Sequence, residues 1–141
     1  MNTHLLEMSE YDEVGYSPLI DFQSWRVAIL NYIDELDADK IDNFQSHNET
    51  DEVFVLLSGK CILFCAEVDG DNNIINIASW DMLPNKTYNI KRGVYHTHTL
   101  SDDGKVLIVE NSDTSDCNSP KIIIDGTIRD KLVKLTSALW V

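Results

Sequence analysis

Apolar residues in this chain come in short runs, each closed by a cluster of glycine, proline, asparagine or aspartate. That rhythm predicts an all-β protein, because a strand uses only about four to eight residues before the chain must turn. Residues 24–33 (SWRVAILNYI) are rich in branched and aromatic side chains and read as a strand, with Trp25, Val27 and Ile29 on one face. Residues 53–57 and 61–66 flank Ser58 and Gly59 as a hairpin, and both runs are apolar on both faces, which predicts a sheet covered on each side. Further strands are expected over 74–80, 88–90, around His96 and over 106–110, with two weaker ones at 41–47 and 122–124. The turns fall at Asp69–Asn73 (DGDNN), Pro84–Asn85 and Asp102–Gly104, with an acidic turn at 34–39 and a polar loop at 112–120. Only at the end does the period change. Ile128, Leu132, Leu135 and Leu139 recur at helical spacing after Asp125 or Thr127 as a cap, so a short amphipathic helix is expected over 126–140.

A chain of 141 residues has room for one domain, 1–141. Its parts would be an N-terminal arm over 1–20 with a short strand near Leu5, a barrel or sandwich over 24–124, and the helix. The net charge of −13 is uneven: residues 1–52 carry 13 acids against Arg26 and Lys40 alone. Such a surface repels phosphate backbones and argues against nucleic acid as a partner. No apolar run approaches the roughly 20 residues of a membrane span, and acids occupy the place of a signal peptide, so a cytoplasmic protein is expected. Cys61 and Cys65 lie on one face of one strand roughly 13 Å apart, too far for a disulfide, and Cys117 is the one thiol in a polar loop.

The candidate chemistry lies in two polar-to-apolar passages, QSHNETDEVFVLLSG at 45–59 and RGVYHTHTL at 92–100. Side chains two apart on a strand share a face, so Gln45 pairs with His47 and His96 with His98. Two imidazoles and a carboxylate with open positions suit a divalent metal. Each residue also has a plain structural role open to it: His47 as a loop histidine bound to backbone, Glu52 as a cap on strand amides, His96 and His98 as packed barrel histidines. Lys91 and Arg92 form the one adjacent basic pair and, with Tyr88 and His98, could meet a ligand at a barrel mouth. Glu49 is a further carboxylate, placed for the loop surface. There is no glycine-rich phosphate loop, GxSxG or HExxH.

These two passages resemble the paired motifs of the cupin superfamily. The first motif runs His-x-His, three or four residues, Glu, six residues, Gly; His47, Glu52 and Gly59 match it, and Gln45 stands where the first histidine belongs. The second runs Pro-x-Gly-x-x-His; Gly93 and His96 match it, and Lys91 replaces the proline. The resemblance covers about 45–110. It implies a cupin-type jelly-roll barrel with an inward metal site on His47, Glu52 and His96, with Gln45 or His98 in the remaining place. The metal would be iron, manganese, zinc or nickel, or the site would hold none. Three functions follow as expectations: a metal-dependent enzyme of isomerase, lyase or dioxygenase type acting on a small polar metabolite, a non-catalytic small-molecule-binding or sensory module with a degenerate metal site, or an interaction protein with a vestigial pocket. Sheet edges and the surface of Leu132, Leu135, Leu139 and Trp140 suggest a homodimer.

Overall fold

The computed structural model describes residues 4–141. Ten strands among them form two antiparallel five-stranded sheets, and one helix follows. The strands are β1 (Gly15–Phe22), β2 (Trp25–Asn31), β3 (Asn43–Gln45), β4 (Glu52–Ser58), β5 (Cys61–Val68), β6 (Ile74–Asp81), β7 (Thr87–Ile90), β8 (Tyr95–Leu100), β9 (Lys105–Asn111) and β10 (Lys121–Ile123). The first sheet has the order β1-β2-β9-β4-β7 and the second β10-β3-β8-β5-β6. Consecutive strands repeatedly lie in opposite sheets, as in a jelly-roll sandwich.

Two differences from the expected elements matter. The N-terminal arm contains a strand, but at Gly15–Phe22, where it pairs along β2, and not near Leu5; residues 1–3 of the arm lie outside the described residues. Pro18 does not stop β1, because β1 is an edge strand where a missing N–H is tolerated. The strand expected over 41–47 is only Asn43–Gln45, so His47 sits just beyond its end.

The core divides into two layers, and β5 shows why. Cys61, Leu63 and Cys65 point between the sheets, where they meet Ala28, Leu30, Phe54, Leu56, Leu100, Val106 and Ile108. The alternate residues Ile62, Phe64 and Ala66 point the other way and meet Phe44, Ile77, Ile124 and Leu132. That outer layer is closed by α1 (Gly126–Leu139), whose first turn is capped by the Asp125 carboxylate accepting from the Ile128 N–H at 3.0 Å. Leu132 is fully buried there, worth about 2 kcal/mol of apolar transfer. The Leu132, Leu135 and Trp140 surface expected to meet a partner is therefore largely packed against the chain's own sheet, and the Trp140 indole donates to Asp81 at 3.0 Å. The covering expected on both faces of the 53–57 strand is found for β5 only: β4 buries Phe54 and Leu56 but leaves Leu57 47% exposed. All three cysteines are free.

Candidate metal centre

Glu52 opens β4, and β4 runs antiparallel to β9 with Val53 opposite Val109. The same register sets Arg26 on β2 opposite Glu110 on β9. The inner face of the first sheet thus ends in a row of charged residues where its other positions are Ala28, Phe54 and Ile108. From the second sheet, His96 on β8 comes in beside Gln45 of β3, its cross-strand partner. His47 is held just past β3 by its own carbonyl, which accepts the Gly93 N–H at 2.9 Å. Gly93 lies at φ +82°, a left-handed backbone that glycine adopts freely. The two sequence passages are joined at this bond.

The donor atoms of His47, Glu52 and His96 lie within 4.8 Å of one another, and all three residues are buried. His96 Nε2 is 2.9 Å from Glu52 Oε1 and His47 Nε2 is 3.4 Å from the same oxygen. The far side of each ring settles the tautomer. His96 Nδ1 faces the Val94 carbonyl at 2.9 Å, which can only accept, so Nδ1 carries a hydrogen. His47 Nδ1 is 2.8 Å from Ser119 Oγ, whose own hydrogen goes to Asn118 Oδ1, so here too Nδ1 donates. Both Nε2 atoms then present lone pairs to a carboxylate, an arrangement that needs a proton or a cation between them.

Glu110, at the end of the strand expected over 106–110, lies against the cluster. Its side chain is 4% exposed. Oε1 accepts from the Tyr16 hydroxyl at 3.0 Å and from Arg26 Nη2 at 2.8 Å. Oε2 has no hydrogen-bond partner and lies 4.0 Å from His47 Nε2. Burial, and then the neighbouring Glu52, push the Glu110 carboxyl up to about 7. Burial alone would raise Glu52 as well, but in the metal-free protein the proton shared with His47 and His96 outweighs it and holds Glu52 well below the usual carboxylate range. For His47, burial pulls downward, yet Glu52 holds the imidazole above its usual value. The Tyr16 phenol is pushed up, first by burial and then by Glu110.

Gln45 reaches the cavity but not the cluster. Its amide donates to the Ser119 carbonyl at 3.2 Å and faces Asp116 at 3.4 Å, so it holds the 112–120 loop against the site. His98 lines the cavity, with its ring 5.6 Å from Phe54 and a buried Nδ1 without a partner. Burial lowers its pKa to about 4, so the ring is neutral at ordinary pH. Tyr88, Lys91 and Arg92 are not among the cavity-lining residues. Lys91 and Arg92 are exposed beyond the end of β7, and the Tyr88 hydroxyl accepts from the Leu83 N–H. The cations that do line the cavity are Arg26 and Lys40, from the first sheet and the turn before β3. Glu49 is exposed, as expected, and accepts from Asn118. The cavity holds about 530 Å³.

The fold is a jelly-roll β-sandwich of two five-stranded sheets. No family sequence profile matches the chain, and no curated protein sequence does. Solved structures do. A Streptomyces PAC13 variant with uridine superposes at a TM-score of 0.54 with 6% identity over 83% of this chain and 93% of that one. The capsular polysaccharide assembling protein CapF from Staphylococcus aureus gives 0.53 with 18% identity over 82% of this chain and 31% of CapF. The Lactobacillus farciminis oxalate decarboxylase formate complex gives 0.50 with 13% identity over 77% and 32%. The chain thus spans about a third of the last two. No helix is long and apolar enough to cross a membrane among the described residues.

The donor set fits a divalent metal. Donors about 2.1 Å from a cation and at right angles stand about 3.0 Å apart, and the observed 2.9 and 3.4 Å bracket that value. Each imidazole also has its second nitrogen tied, as ligating histidines commonly do.

Proposed function

We propose that the protein binds one divalent cation, of iron, manganese, zinc or nickel, on His47, Glu52 and His96, and takes a small polar metabolite into the cavity beside it. The observation that carries this reading is the convergence of two imidazole Nε2 atoms and two carboxylates which, with both Nδ1 hydrogens committed elsewhere, need a shared proton or a cation to hold them together. When bound, the cation would supply a Lewis acid to polarise a ligand oxygen. Arg26 and Lys40 would attract anionic groups on the ligand, and neutral His98 would accept a proton or a hydrogen bond from it. That division of roles suits isomerase, lyase or dioxygenase chemistry. The cavity volume supports a ligand of metabolite size. PAC13, described as a nucleoside dehydratase, and the oxalate decarboxylase are enzymes on this fold. Gln45 favours a second reading, a non-catalytic binding or sensory module, because its amide is committed to Ser119 and not to the cluster. We place the protein in the cytoplasm as a homodimer, on the acidic composition and on the uncovered edge strand β6 with its exposed Ile75 and Trp80.

The test is metal content. Chelator-treated protein, loaded separately with each of the four metals and desalted, is expected to retain about one equivalent of at least one of them, and His96→Ala to retain little. Wild-type protein retaining less than about a tenth of an equivalent of every metal would overturn the reading.

A further inference from the structure

The chain departs from the cupin motif at Gln45, and the amide there is turned to the 112–120 loop. The site nevertheless contains a further carboxylate oxygen turned toward it. Glu110 Oε2 is buried, has no hydrogen-bond partner, and points into the group formed by His47 and Glu52. Its sister oxygen is anchored twice, by the Tyr16 hydroxyl and by Arg26 Nη2. Arg26 is itself fixed by the Ser112 and Thr114 carbonyls at 3.2 Å each. One oxygen held and one left bare is how a carboxylate is prepared to give a single oxygen to a cation. An ionised carboxylate oxygen left buried without a donor is costly. The position therefore calls for either a proton on Oε2 or a cation beside it.

We infer that Glu110 is the fourth protein ligand, making the site a set of two imidazoles and two carboxylates, contributed by both sheets. The inference rests on the metal reading above. The chemical consequence is a choice of cation. A second carboxylate in place of a third imidazole balances the charge of a dication and moves the donor set toward oxygen, which suits manganese(II) and iron(II). Tyr16 and Arg26 act as positioning residues, because they touch only the oxygen that does not face the cluster.

Manganese(II) binding to the full chain, followed by calorimetry and by the electron paramagnetic resonance of the free ion, tests this. Glu110→Gln keeps an oxygen for Tyr16 and Arg26 but turns a neutral amide to the cluster. Its affinity for manganese(II) is expected to fall at least about 10-fold. Its metal-free melting temperature should equal or exceed that of wild type, since the amide N–H gives Glu52 a donor. Glu110→Asp, which keeps the charge and withdraws the oxygen by one methylene, should also lose affinity, and covers the case in which the glutamine variant fails to fold. If wild-type protein binds manganese(II) and both folded variants bind it equally well, Glu110 holds a proton and the inference is overturned while the three-residue site stands. If wild-type protein binds none of the metals, the metal reading fails and the inference with it.

Discussion

Glu52 and Glu110 face one another across neighbouring strands, and the difference in their surroundings separates their behaviour. Glu52 has two imidazoles to oppose its charge, whereas burial and the Glu52 charge work against Glu110. The consequence for the metal-free protein is a stability that declines with pH. Glu110 is raised from 4.5 to about 7, and His47 is raised above 6.5. A raised folded pKa contributes stability that is complete below the unfolded value and lost as pH climbs through the folded one. Glu52 is depressed, so its contribution is constant above about pH 4.5. Chelator-treated protein should therefore melt lower at about pH 8 than at about pH 5.5, and added metal should raise the melting temperature more at the higher pH, where protons no longer compete. A metal-free melting temperature that rises over this interval would contradict the charge assignment. At this scale the sequence was informative for three residues. His47, Glu52 and His96 were legible because two motifs fix their spacing. Glu110 had a weaker signal, a carboxylate on the same face as Val106 and Ile108, which alternation alone would have placed inside. Arg26 was hidden because the run around it is apolar on both faces. Ser119 carried no signal, since nothing in SDTSDCNSP distinguishes the serine that turns inward.

Elements explain how such residues come to be held. The hairpin of β4 and β5 brings Glu52 to one end of a strand whose other end turns at Gly59. Gly59 has φ +66°, and a Cβ there would stand 2.6 Å from the Asp103 backbone carbonyl. The spacing of Glu52 and Gly59 thus has a physical reading: the strand must end where the next turn, at Asp103, closes over it. Gly59→Ala should lower the unfolding free energy by about 1–3 kcal/mol from the left-handed backbone alone, while metal affinity, set at the far end of β4, stays within about 2-fold. Urea titration and calorimetry check the pair of outcomes; a loss under about 0.5 kcal/mol would mean that the turn relaxes without strain. The element pattern was legible where apolar runs were long and turns were rich in asparagine and glycine, and Asn72 and Asn85 do adopt positive φ at two of those turns. β1 was missed because GYSPLIDF contains a proline and little alternation; what makes it a strand is pairing along β2, a tertiary effect. The 112–120 loop was legible as a loop, but its role as the strap carrying Ser119 to His47 comes from long-range bonds to Gln45, Asn48 and Arg26.

The whole molecule brings charge and edges into competition. Each chain carries −13, so two copies repel at a distance. The helix surface that looked free in sequence is used within the chain, which leaves edge strands and not α1 for association. β6 is an eight-residue edge whose backbone groups are paired on one side only, and its Ile75 is 63% exposed. Edges of this length are usually paired or covered. A homodimer formed there must overcome the repulsion, and that repulsion is screened with a Debye length of about 30 Å at 0.01 M salt but only about 8 Å at 0.15 M. Light scattering should accordingly give a mass near 16.0 kDa at the lower ionic strength and move toward twice that value at the higher one. The direction matters more than the midpoint. If charge attraction between copies drove association, salt would dissolve the dimer instead, and a mass of 16.0 kDa at every ionic strength would show that β6 stays unpaired in solution.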